Sequence, residues 1–101
     1  MTEEEKGIQK MREFHFEKTY ATNVVVEETD ADVRLYFFNE IVKMEGNRVA
    51  ISDGVAMLTQ QATILLSEQL NSMIESWKSK GQPVMVSEER RKVLEELKKE
   101  S

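Results

Sequence analysis

Residues 32–42, DVRLYFFNEIV, alternate as a β-strand does, with Val33, Leu35, Phe37 and Ile41 on one face and Tyr36, Phe38 and Val42 on the other. Both faces are apolar, which a strand covered on only one side would not need. A second β-branched run precedes it, TNVVVEET at residues 22–29, and a third follows at residues 47–57. The period then changes from 2 to 3.6. Strands joined by such short turns must run antiparallel, and the helix behind them must lie on one face of their sheet.

Two turns set the expected register. Thr29-Asp30-Ala31-Asp32 separates the first two strands, and its aspartates suit a turn because they can accept nearby backbone N–H groups. With Asp30 and Ala31 at the tip, Val26 falls opposite Leu35, Val24 opposite Phe37, Val25 opposite Tyr36 and Glu27 opposite Arg34. Glu45-Gly46-Asn47 separates the second and third strands, with Gly46 and Asn47 tolerant of positive φ. A three-residue loop there places Ile41 opposite Ile51, Phe37 opposite Val55 and Leu35 opposite Met57. The core face then carries Val24, Val26, Val33, Leu35, Phe37, Ile41, Val49, Ile51, Val55 and Met57. Ser52-Asp53-Gly54 predicts a bulge or break within the third strand.

Thr59 is a suitable N-cap, and Gln60 to about Lys80 predicts a helix ending at Gly81 with Pro83 beyond. Its stripe of Ala62, Leu66, Leu70, Met73, Ile74 and Trp77 spans about 120° at roughly 100° per residue, wide enough to lie on a sheet. Ser87 caps a second helix with Glu88 and Glu89 in its first turn and Lys98 and Lys99 near its end, the charge order the macrodipole favours. Its narrow stripe of Val93, Leu94 and Leu97 implies docking, since so short a helix is marginal alone. The expected fold is α+β: an antiparallel sheet of three to four strands, one long helix and a shorter C-terminal helix. The boundaries are a flexible 1–12, strands at about 13–20, 22–29, 32–44 and 47–57, and helices at about 60–80 and 88–100. Residues 13–101 form one domain, the size that 101 residues support.

Chemistry is harder to find. The chain has no Cys, which removes thiolate catalysis, disulfides and thiolate zinc sites. Its single His15, between Phe14 and Phe16, has no nucleophile motif around it and reads as structural. Asp30 and Asp32 lack the remaining ligands and the glycine of a calcium loop. Ser52-Asp53-Gly54 lacks a strand–turn–helix elbow. Four dispersed glycines make no phosphate loop. No catalytic, metal or cofactor residues are expected, and the chain reads as a non-enzyme.

A net charge of −5 argues against nucleic-acid backbones and anionic membranes. The neutral balance of residues 87–101 puts all of it in residues 1–86. Single-stranded nucleic acid stacked on Tyr36 and Phe38 beside Arg34 and Lys43 is a minor alternative. The acidic start, MTEEEKGIQK, is unlike a secretory signal, and no window nears the roughly 18 apolar residues of a membrane span, so a cytoplasmic location is expected.

What remains is the apolar surplus. Val25, Tyr36, Phe38 and Val42 share the face away from the core, with Ile64 on the polar side of the long helix as a further candidate. About 300 Å² of such surface would release up to about 7 kcal/mol on burial, before the cost of association, at roughly 25 cal/mol per Å². These five residues are the expected partner-binding set, the partner being a second copy of the chain or another protein. The competing arrangement has residues 14–16 folding over the same face within one chain.

Tyr20, Asn23, Leu35, Phe37, Thr59, Ala62, Leu66, Leu70, Trp77 and Gly81 resemble the pattern of domain of unknown function 3467, a family of small prokaryotic proteins. Trp77 and Tyr36 stand where that family has a late Tyr and an acidic residue. The resemblance covers about residues 20–81 and implies no activity. The order of strands, long helix and shorter helix is also similar to the export chaperone SecB, which implies a holdase for unfolded chains as an alternative function. An acidic protein with an apolar, Met-containing surface fits that role.

Overall fold

The computed structural model describes residues 7–12 and 19–99, and the expected strand at 13–20 and the His15 segment fall almost entirely outside them. Thr19 and Tyr20 have no regular structure. The fold is α+β: strands β1 (Asn23–Glu28), β2 (Val33–Met44) and β3 (Asn47–Leu58), then helices α1 (Gln60–Ser79) and α2 (Glu88–Lys98). Among the described residues the sheet has three antiparallel strands in the order β1-β2-β3.

Thr29 organises the first turn. Its N–H donates to the Asp32 carbonyl at 2.9 Å, and its hydroxyl oxygen accepts from the N–H groups of Ala31 at 3.2 Å and Asp32 at 3.0 Å. The hydroxyl proton goes to Asp32 Oδ1 at 2.7 Å, and the same oxygen accepts from Arg34 Nε at 3.3 Å. The turn hydroxyl therefore does the work expected of the aspartates. The β1–β2 register is the expected one, with Val24 opposite Phe37 and Val26 opposite Leu35.

The β2–β3 register is not. Leu35 faces Ala56 and Phe37 faces Gly54, one residue away from the expected partners Met57 and Val55, and Ile41 faces Ala50 instead of Ile51. The cause is the turn. Met44 pairs with Asn47, leaving a two-residue loop in which Glu45 (φ 50°) and Gly46 (φ 80°) both adopt positive φ. That is the sign pattern of a type I′ hairpin, whose twist matches the flanking strands. Glu45, not Asn47, takes the left-handed position.

A one-residue slip exchanges the faces of a strand. Val55 and Met57 leave the expected core and lie across from Tyr36 and Arg34. Gly54, Ala56 and Leu58 replace them. The predicted irregularity is a bulge near Phe38 and Ser52, where the Ser52 hydroxyl lies 3.2 Å from the Phe37 carbonyl and 3.3 Å from that of Gly54.

Helix α1 starts where its cap predicts, with Thr59 Oγ1 accepting from Ala62 N–H at 3.1 Å. It ends in a Schellman pattern: Gly81 at φ 73° donates to Lys78, and Gln82 donates to Trp77 at 2.9 Å. Ser87 Oγ caps α2 through Arg90 N–H at 3.2 Å. Among the described residues, no helix is long and apolar enough to cross a membrane.

Candidate interaction surface

The two helices lie on opposite faces of the sheet. On one face, Leu97 of α2 lines a shallow hollow together with Val25, Tyr36 and Phe38, and Val93 lines another with Asn23, Ile41, Arg48 and Arg90. Two polar ties hold α2 there. Arg90 donates to the Thr22 carbonyl at the entry to β1, and Arg48 of β3 meets Glu96 Oε2 at 3.3 Å. Val93, Leu94 and Leu97 are all half-buried, so the narrow stripe is used in full.

This arrangement splits the expected partner-binding set. Val25, Tyr36 and Phe38 come together, but they are half-buried under α2 within the same chain. Val42 does not join them. Beyond the bulge, Ile41 turns to the α2 side, so its neighbour Val42 lies on the other face and is exposed. Ile64 stands apart on the back of α1 with 60 % of its surface accessible. Arg34 sits beside Tyr36 and Asp32, whose hydrogen bonds and charge raise its guanidinium pKa above the ordinary value, the Tyr36 bond foremost.

The larger apolar surface lies on the other side. Val24, Val26, Leu35 and Phe37 face Leu66, Leu70 and Ile74 of α1 across an open cleft of about 570 Å³, with Thr63, Ser67 and Asn71 along its helical wall. Of the expected stripe, Leu66, Leu70 and Ile74 line the cleft whereas Ala62, Met73 and Trp77 do not, and the helix and sheet do not close on each other. Val26 remains 61 % accessible, and Val24, Leu70 and Ile74 are exposed as well. Outside the cleft, Leu65 (57 %) and Met73 (48 %) of α1, Val55 and Met57 of β3, and the connector residues Val84, Met85 and Val86 are also exposed.

Among the described hydrophobic residues only Val33, 8 % accessible, is buried. Among the described residues, the apolar side chains of the sheet and of α1 do not enclose a core.

The sequence pattern places Val24, Val26, Leu35 and Phe37 in a filled core, whereas in the structure they line an open cleft. One signal pointed to α1. Of its 20 residues only Glu68, Glu75 and Lys78 are charged, in a chain whose overall charged fraction is 33 %. At 100° per residue these three fall on one side with Ile64, leaving an uncharged arc far wider than one sheet face covers. No group of acidic or imidazole side chains suited to a metal occurs among the described residues. No family model, curated protein or solved structure matches the chain.

Proposed function

We propose that this protein is a non-enzymatic interaction domain that completes its core by self-association. The observation that carries the reading is the burial of Val33 alone among the described hydrophobic residues, although complementary apolar surfaces on α1 and the sheet already face each other. Obligate homo-oligomers characteristically look like a domain core cut in half, with total interfaces of about 2,000–5,000 Å². Val24, Val26, Leu70 and Ile74 at the cleft, with Leu65 and Met73 outside it, are exposed side chains that such an interface would cover. Because folding and association are then coupled, the unfolding midpoint rises with protein concentration. A tenfold dilution series followed by circular dichroism tests this, and a midpoint independent of concentration refutes it.

A holdase reading is favoured by one feature, the open cleft beside the edge strand β1, where an extended apolar segment of an unfolded chain could lie. It predicts that near-stoichiometric protein suppresses aggregation of a denatured client. Absence of suppression leaves self-association as the function.

A further inference from the structure

We propose that two copies of this chain join edge to edge through β1, antiparallel about a two-fold axis at Val25, so that their sheets become one. The inference rests on the self-association reading and names the contact that carries it. The cleft shows where its cover is missing. Leu35 and Phe37 of β2 are half-buried along its floor, whereas Val24 and Val26 of β1 are exposed. Because α1 follows β3 directly through Thr59, the helix is tethered at the far edge of the sheet and the cleft opens towards β1.

The same edge carries outward-turned backbone. The Thr29 N–H bond to the Asp32 carbonyl marks those two residues as a hydrogen-bonded pair, and such pairs alternate along an antiparallel ladder. Asn23, Val25 and Glu27 therefore turn their backbone groups to β2, and Val24, Val26 and Glu28 turn theirs away from the sheet. Such a row is a template for another strand. β1 contains neither Pro nor Lys and its pairing has no register shift, whereas the other edge strand, β3, is blunted by the bulge at Ser52.

The strand complements itself in one register. With Val25 on the axis, Val24 lies opposite the partner's Val26 and exchanges both backbone bonds with it, and the valines of the two copies form one row on the cleft face. Glu27 falls opposite the partner's Asn23, at the end of β1 where Arg90 donates to the Thr22 carbonyl, so a carboxylate of each copy is brought beside a guanidinium of the other. An axis at Val26 would instead set Val24 and Val25 against Glu28 and Glu27. An axis at Val24 would require Thr22, whose N–H is already bonded to the Phe38 carbonyl. A second copy thus supplies valine against valine and acid beside base. The two-fold axis, perpendicular to the sheet, keeps both α1 helices on one face, where the two clefts share a single floor.

The chain has no cysteine of its own, so each substitution reports one position. Full-length Val25→Cys, Val24→Cys, Val26→Cys and Met57→Cys chains, the last on the β3 edge, are oxidised under native conditions after the solution mass of each is measured. Val25→Cys is expected to form covalent dimers at least tenfold faster than the others, because it faces its own mate, while the mates at positions 24 and 26 are offset by about 7 Å along the strand at 3.4 Å per residue. An equimolar mixture of Val24→Cys and Val26→Cys chains is expected to link although neither does alone. In the unsubstituted chain, the amides of Val24 and Val26 are expected to exchange with solvent at least tenfold more slowly than those of the exposed connector residues Val84 and Val86. A dimer in which no β1 cysteine links, or Met57→Cys links as fast, overturns the β1 contact while leaving self-association intact, as does exchange of the Val24 and Val26 amides at the connector's rate. A dimer in which Val24→Cys or Val26→Cys links to itself fastest overturns the register at Val25. Monomeric chains overturn both proposals.

Discussion

Phe37 stands directly across the β2–β3 ladder from Gly54, with Leu35 across from Ala56. Phe37 therefore has no side chain across from it on β3. A Cβ added at Gly54 would touch nothing within 4 Å. The register predicts that a Leu35→Cys/Ala56→Cys double variant forms a cross-strand disulfide, whereas Leu35→Cys/Met57→Cys does not. Mass spectrometry of oxidised, digested protein distinguishes the pairs, and the reverse result would restore the three-residue loop.

Glu45 holds φ at 50° in the loop that sets this register. A left-handed conformation costs a residue with a Cβ about 1–2 kcal/mol, and Asn or Gly less. Glu45→Asn or Glu45→Gly is therefore expected to stabilise the protein by about 1 kcal/mol, seen as a higher midpoint in urea. Gly46→Ala, at φ 80°, is expected to lower it by a similar amount.

Thr29 satisfies two backbone N–H groups with one hydroxyl. Replacing it by Val keeps the shape and removes the acceptor, at an expected cost of about 1–2 kcal/mol. Thr29→Ser should recover most of the loss. Equal destabilisation by both substitutions would mean that the methyl group, not the hydroxyl, matters at this turn.

Leu97 of α2 is half-buried and lines one hollow with Val25, Tyr36 and Phe38. Leu97→Asp is expected to loosen the helix, because it sets a charge beside Val25, Tyr36 and Phe38 and leaves Val93, Leu94, the exposed Arg90 hydrogen bond and the Arg48–Glu96 pair, itself worth about 0–1 kcal/mol, to hold it. Hydrogen exchange should then accelerate in residues 88–98 while the β2–β3 ladder keeps its protection. Unchanged exchange in α2 would contradict its docking through Leu97.

The sequence made some parts of this fold legible and concealed others for physical reasons. Thr59, Gly81 and Ser87 announced their helices because cap chemistry acts within a turn of the chain. The β1–β2 register was legible because apolar and oppositely charged residues pair in only one alignment. The β2–β3 register was concealed because Gly46 fits either loop length, and both alignments bring apolar side chains together. Val25, Tyr36 and Phe38 share one face as expected, but their coverage by α2 rests on neighbours far apart in the chain, such as Leu97 beside Tyr36 and Arg90 on Thr22, which no local pattern announces. The open side of α1 was the least legible, since periodicity identifies an apolar face without saying whether its own sheet closes against it.

The most direct test of the central claim is the solution mass of the full chain by light scattering at tens of micromolar. Self-association predicts a discrete species of at least twice the 11.7 kDa chain, falling toward one chain only as structure is lost on dilution. A folded species of one chain mass, unfolding cooperatively at that concentration, would contradict the account.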